Sequence, residues 1–266
     1  MVTLIPLAVK QFGKGGIVSK LVDNLSQAFQ GSTPRLGFGR KTATPKSPRM
    51  ILIATLPAED TLAAAAAKEY ADAVLLSDTK GTKFSDKFTA SLGELPWGVS
   101  IGEATDKQFA DLKEAGCDFL VCDTEKAPLM LLREEDIGRI VKLEPSLPDG
   151  LIRVTAQLPI DAVLIGGDPS LSIQRLMICQ HMVNLVRMPR IAPVPLDIAN
   201  EDLKDLWETG MAGIVVTVAG DSKERLTGLR KAIEDLPISR RRASDKLGAL
   251  LPYIGEEEIT DEDEEE

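Results

Sequence analysis

Histidine is almost missing from this 266-residue chain: His181 is the only one. A serine or cysteine nucleophile with a histidine base therefore has a single placement to draw on, and an ordinary zinc centre loses its commonest ligand. There are three cysteines, Cys117, Cys122 and Cys179, and no Cys-x-x-Cys pair. In a chain of this length that is no disulfide framework, and it reads as a reducing, cytoplasmic setting. Aromatic residues make up only 4%, so the core must come from Val, Ile, Leu and Ala. No run of 18 apolar residues exists, which leaves no candidate membrane span. The opening "MVTLIPLAVK" has no charged segment before its apolar run and no clear cleavage site after it, a poor secretory signal.

Charge is unevenly spread. Residues 1–49 hold eight Lys/Arg against one Asp, or +7, while "EEEITDEDEEE" (256–266) holds nine acids, or −9. The remaining 23 bases and 31 acids leave residues 50–255 at −8, within a net −10. An acidic body argues against nucleic acid as a partner. The terminal acidic run is expected to be disordered and unable to bury a core.

A pattern repeats about every 46 residues. The segments "EYADAVLLSD" (69–78), "EAGCDFLVCD" (114–123), "LPIDAVLIGGD" (158–168) and "ETGMAGIVVTV" (208–218) each read as a helix end, a turn and a strand. Four more apolar runs alternate with them: "MILIATLP" (50–57), "PWGVSIG" (96–102), "RIVKLEP" (139–145) and "PRIAPVP" (189–195). Helical patterns fill most gaps, at 61–71, 105–116, 170–186, 200–210 and 222–236, and more weakly at 83–95 and 127–138. Eight strands alternating with helices predict a parallel sheet covered on both faces. The length suits an α/β fold of one closed (β/α)8 barrel over 50–237. An open doubly wound sheet is the runner-up. It would usually carry a glycine-rich first turn, and "TLPAEDT" (55–61) has no glycine.

The segments "EAGCDFLV" (114–121) and "ETGMAGIVV" (208–216) resemble the helix-to-strand junctions of TIM-barrel enzymes, particularly those that act on phosphorylated small molecules. The resemblance spans roughly 50–237 and is one of fold, so function carried over from it is analogy. It implies that chemistry sits at the C-terminal ends of the strands.

Those ends supply the candidate residues. On the fifth strand Ile140, Lys142 and Glu144 share one face, while Val141 and Leu143 share the other. The apolar pair suits the helix-facing side, which turns Lys142 and Glu144 into the barrel, with Glu144 nearer the mouth. Two readings stay open. A desolvated lysine can serve as a Schiff-base amine or general base. The pair can also be an inert plug of matched charges, in which case Lys142→Met alone would cost about 3–5 kcal/mol. Class I aldolases carry their lysine on strand six, where "AVLIGG" (162–167) has none. Asp123, Glu144 and Asp168 end strands four to six without forming a metal motif, and Asp168 before Pro169 suits a helix cap. Gly166, Gly167, Gly220 and Ser222 are the candidates for holding a ligand's anionic group, although Asp221 in "VAGDSKER" (218–225) would repel one. Cys122 has no histidine to activate it, and His181, within an apolar helix, is expected to be structurally buried.

In the arm, "IVSKLVDNLSQAF" (17–29) sets Val18, Leu21, Val22, Leu25 and Phe29 on one helical face. Closing the barrel floor, or contact with a second copy or a protein partner, fits it better than a membrane surface. The functional expectation is a lyase or isomerase for a small anionic metabolite that uses the Lys142–Glu144 pair with Asp123. Its cofactor is unknown and no metal is assigned. The alternative is a catalytically silent barrel serving an assembly, with a flavin or corrinoid binder as a third possibility.

Overall fold

The computed structural model describes residues 19–30, 48–57, 60–77, 88, 91–102, 105–220 and 222–237. The acidic run 256–266, the first 18 residues with Val18, most of 83–95, and Asp221 lie outside them. Eight strands are all parallel to their neighbours and close in sequence order. They are β1 (Ile51–Pro57), β2 (Ala73–Ser77), β3 (Trp97–Ile101), β4 (Phe119–Asp123), β5 (Gly138–Leu143), β6 (Ala162–Ile165), β7 (Arg190–Pro193) and β8 (Gly213–Thr217). Seven α-helices lie among the described residues: α1 (Lys20–Gln30), α2 (Thr61–Tyr70), α3 (Asp106–Glu114), α4 (Asp149–Val154), α5 (Ile173–Leu185), α6 (Asn200–Glu208) and α7 (Lys223–Glu234). The (β/α)8 barrel is thus the fold. Of the two weak helical gaps, 83–95 lies mostly outside the described residues, with Phe88, Ser91 and Leu92 helical, while the gap at 127–138 and the one after β5 depart from the expected pattern. Residues 127–138 hold only a 3-10 turn, Leu129–Arg133, and a short α4 stands where no helix was expected.

Local chemistry sets the helix ends. Thr105 and Gln108 form a capping box at the start of α3, and Gly116 (φ 80°) closes its end, as does Gly210 (φ 109°) after α6.

Strand parity sorts the core into two clusters. Ile51, Ile53, Leu75, Phe119, Val121, Ile140 and Leu164 fill the barrel, while Leu52, Val74, Leu120, Val141, Leu143 and Val163 pack under the helices. Phe119 needs room: a Cβ at Gly98 would lie 2.3 Å from its carbonyl oxygen and 2.5 Å from its ring. Large and small residues complement each other across β3 and β4.

The floor is closed by α1. Leu21, Leu25 and Ala28 belong to the inner cluster, and a Cβ at Gly138 would strike Ser19 and Val22. Asp118, just before β4, holds the N-terminus of α1. It accepts from the Ser19 hydroxyl at 2.7 Å, the Lys20 amide at 2.8 Å and the Leu21 amide at 3.0 Å. Equivalent aspartates precede β2 and β6. Asp72 accepts from the Leu52 amide (2.8 Å) and from Arg230, and Asp161 accepts from the Arg139 amide (2.9 Å) and clamps its guanidinium at two points. The repeated aspartate therefore binds the start of the preceding strand or the floor helix. Its role is structural and lies at the end of the barrel away from the mouth.

Candidate functional site at the barrel mouth

Because Ile140 lies inside and Val141 and Leu143 lie outside, alternation turns Lys142 and Glu144 inward at the C-terminal end of β5. Pairing in register places Asp123 of β4 beside Lys142. The Lys142 Nζ lies 2.7 Å from Glu144 Oε1 and 3.6 Å from Asp123 Oδ1. The three side chains are half-buried, at 38%, 46% and 44% exposure for Lys142, Glu144 and Asp123, so the group stands in the mouth and does not plug the bore. That corrects the large penalty expected for breaking a buried pair, because water reaches both charges.

Protonation follows from the geometry. The hydrogen bond to Glu144 holds Lys142 above the ordinary lysine value; partial burial opposes this, and the charges of Glu144 and Asp123 add to it. Lys142 is an ammonium at neutral pH, the opposite of what a desolvated Schiff-base amine requires. A cation between two carboxylates can hold an anionic or carbonyl oxygen, while a carboxylate beside it accepts a proton.

Glu144 is seated on Gly166: a Cβ there would fall 2.6–2.7 Å from its carboxylate atoms. Arg175, from the first turn of α5, fixes that seat from behind. It is buried, and it donates through Nη1 to the Gly166 carbonyl (2.6 Å) and through Nη2 to the Ile165 carbonyl (3.2 Å). Gly167, at φ 108°, leaves space that a Cβ would take 2.9 Å from Arg175 Nη1. Sequence reasoning missed Arg175. Its one signal was that it is the only Arg, Lys, Asp or Glu in its helix.

Across the barrel, β1 and β8 contribute Thr55 and Thr217, which are paired in register on inward positions. The Thr55 hydroxyl oxygen is buried and has no hydrogen-bond partner among the described residues. In an eight-stranded barrel β1 faces β5, so hydroxyls and charges occupy opposite walls.

Other candidates are drawn into internal bonds. The Gly220 amide donates to Asp60 Oδ2 (3.0 Å), and the buried Ser222 donates its hydroxyl to the Ala219 carbonyl (2.8 Å). Asp168 does not cap α5. It accepts from the Ser170 amide at 2.7 Å, the bonds to Ser170 hold its carboxyl below the usual range, and Ser172 caps the helix instead. Burial pushes the Cys122 thiol up to about 12, which makes it no nucleophile. His181 is exposed, contrary to expectation, and its Nε2 lies 2.9 Å from Asp149 Oδ1. Among the described residues no three His, Cys, Asp or Glu side chains converge on a metal position.

No protein-family model matches the chain, and no curated protein matches it. Solved structures do. A mutant tryptophan synthase α-subunit from the hyperthermophile Pyrococcus furiosus superposes with a TM-score of 0.52 at 19% identity, over 70% of this chain and 97% of that one. The tryptophan synthase complex from Pyrococcus furiosus gives 0.54 at 15% identity, over 70% and 97%. Ligand-free tryptophan synthase from M. tuberculosis gives 0.52 at 15% identity, over 69% and 91%. At these identities the likeness is one of fold. The chain has the TIM-barrel fold.

Proposed function

We propose that the barrel binds a small anionic, carbonyl-bearing metabolite in its mouth and moves a proton on it, as a lyase or isomerase does. Lys142 holds the anionic or carbonyl oxygen, Glu144 accepts the proton, and Asp123 balances the ammonium and keeps it aimed into the mouth. Gly166 seats Glu144, and Gly167 leaves the strand-six turn open beside it. The observation that carries this reading is the inward Lys142–Glu144 contact of 2.7 Å with Asp123 at 3.6 Å. Solvent deuterium exchange into a panel of small oxo acids and phosphorylated ketones, followed by NMR, tests it. Exchange is expected in the wild type, with a loss of at least about 100-fold in Glu144→Gln, the lower end of what a general base contributes. No exchange with any member, or exchange that is unchanged in Glu144→Gln, would remove the proposal.

A second reading, a silent barrel serving an assembly, draws support from the strand-eight turn. There Gly220 donates to Asp60 and Ser222 to Ala219, so these two donors are already spent. Several similar structures belong to assemblies, including the tryptophan synthase complex and a cage designed by fusing symmetric oligomeric domains. In that reading the deuterium experiment is negative and a partner subunit or a second copy is required.

A further inference from the structure

The outer helix α5 is unlike the others. Its sequence, "IQRLMICQHMVNL", contains no Asp, Glu or Lys, and its one arginine, Arg175, is buried against β6 carbonyls. By contrast α3, α6 and α7 each present several exposed charges, such as Lys107, Glu201 and Glu224. On α5 the exposed face carries Ile173 at 83% and Met177 at 66% exposure, one turn apart, followed one turn later by His181. Beside them lies a groove of about 310 Å³ lined by Pro145, Gln174, Met177, Ile178, His181 and Met182. The neighbouring α4 adds Leu151 and Val154, 58% and 44% exposed. Exposed apolar side chains grouped in this way on neighbouring helices mark a contact surface.

We propose that this face is covered by a second copy of the chain, in a two-fold dimer centred on Met177. Charge selects the partner. Residues 50–255 carry −8, so acidic surfaces of two copies repel, whereas α5 itself bears no acid and the nearest carboxylate, Asp149, is paired with His181. Shape agrees with charge. A two-fold antiparallel crossing at Met177 sets Ile173 of one copy opposite position 181 of the other, where the groove lies, so knob and hole are both supplied by the same surface. Apart from His181, the exposed polar side chains of α5, such as Gln174, Gln180 and Asn184, are neutral amides that tolerate their own copies.

The experiment uses the full chain. Sedimentation equilibrium of the wild type is expected to give a dimer at micromolar concentration, and Met177→Glu a monomer with unchanged circular dichroism. Because Cys117, Cys122 and Cys179 are all buried, Met177→Cys offers a clean second readout. Mild oxidation is expected to link most of it into covalent dimers, while Leu62→Cys, exposed on α2, stays unlinked. A monomeric wild type overturns the proposal, as does a dimer that survives Met177→Glu, or equal linkage in both cysteine variants. Protection of a monomeric Met177→Cys from thiol reagents would assign the face to a terminal segment of the same chain. Co-sedimentation with phosphatidylcholine–phosphatidylglycerol vesicles that is lost in Met177→Glu would assign it to a lipid surface. Either result also sinks the dimer.

Discussion

Lys142 and Glu144 meet in water as much as in protein, and this sets what substitution does to them. Their half-exposed pair contributes stability of the order of a surface ion pair, so Lys142→Met is expected to cost no more than about 1 kcal/mol in a urea melt. A loss of several kcal/mol would show the pair to be a true plug. The sign of the pH dependence follows from the raised lysine pKa. Protonation is favoured in the folded state above the unfolded value near 10.5, so the pair's contribution is whole below that value and is lost as pH rises through the higher folded value. The difference between wild type and Lys142→Met is therefore expected to be flat from about pH 6 to 9 and to narrow only in strong alkali. Thr55 is the reverse case. A buried hydroxyl without a partner costs about 1–3 kcal/mol, so Thr55→Val is expected to leave unfolding free energy unchanged or raise it within that range. Marked destabilisation would mean that the hydroxyl is satisfied in solution.

At the scale of elements, β6 and α5 act as one support for the mouth. Arg175 pins the end of β6, and the bare Gly166 lets Glu144 settle there, 2.7 Å from Lys142. Gly166→Ala is expected to destabilise the fold by about 1–3 kcal/mol through overpacking and to push the carboxylate off its seat. Its distinguishing readout is the Lys142 titration, followed on reductively ¹³C-methylated protein, which is expected to move down toward the ordinary lysine value. An unmoved titration would show that Glu144 does not depend on the glycine. The floor helix offers a parallel case. Asp118→Ala deprives Ser19 and the first amides of α1 of their acceptor, and the expected cost is about 2 kcal/mol by thermal or chemical melt.

For the whole molecule, α1 is part of the barrel core. Leu25 is fully buried in the inner cluster, and a Cβ at Gly213 would come within 3.0 Å of it. Leu25→Ala is expected to cost about 2–5 kcal/mol, in one cooperative transition with the barrel. A separate early transition for the helix would show that it docks and undocks independently.

The eight strands, the parallel barrel, the inward parity of Lys142 and Glu144, and the apolar face of α1 were all legible in the amino-acid order. Each rests on local periodicity: two residues per strand repeat, 3.6 per helical turn, and a unit length of about 46 residues. The α4 helix was not legible, because its six residues are too few to show a period. Tertiary structure alone decided the balance at Lys142, where the hydrogen bond to Glu144 raises the pKa and outweighs the desolvation of a half-exposed site. It also decided that Gly220 and Ser222 spend their donors on Asp60 and Ala219, that His181 stands exposed beside Asp149, and that Arg175 reaches back to Gly166. These outcomes depend on which groups from separate strands and helices come within about 3 Å of each other. Chain spacing carries no record of that distance until the barrel closes.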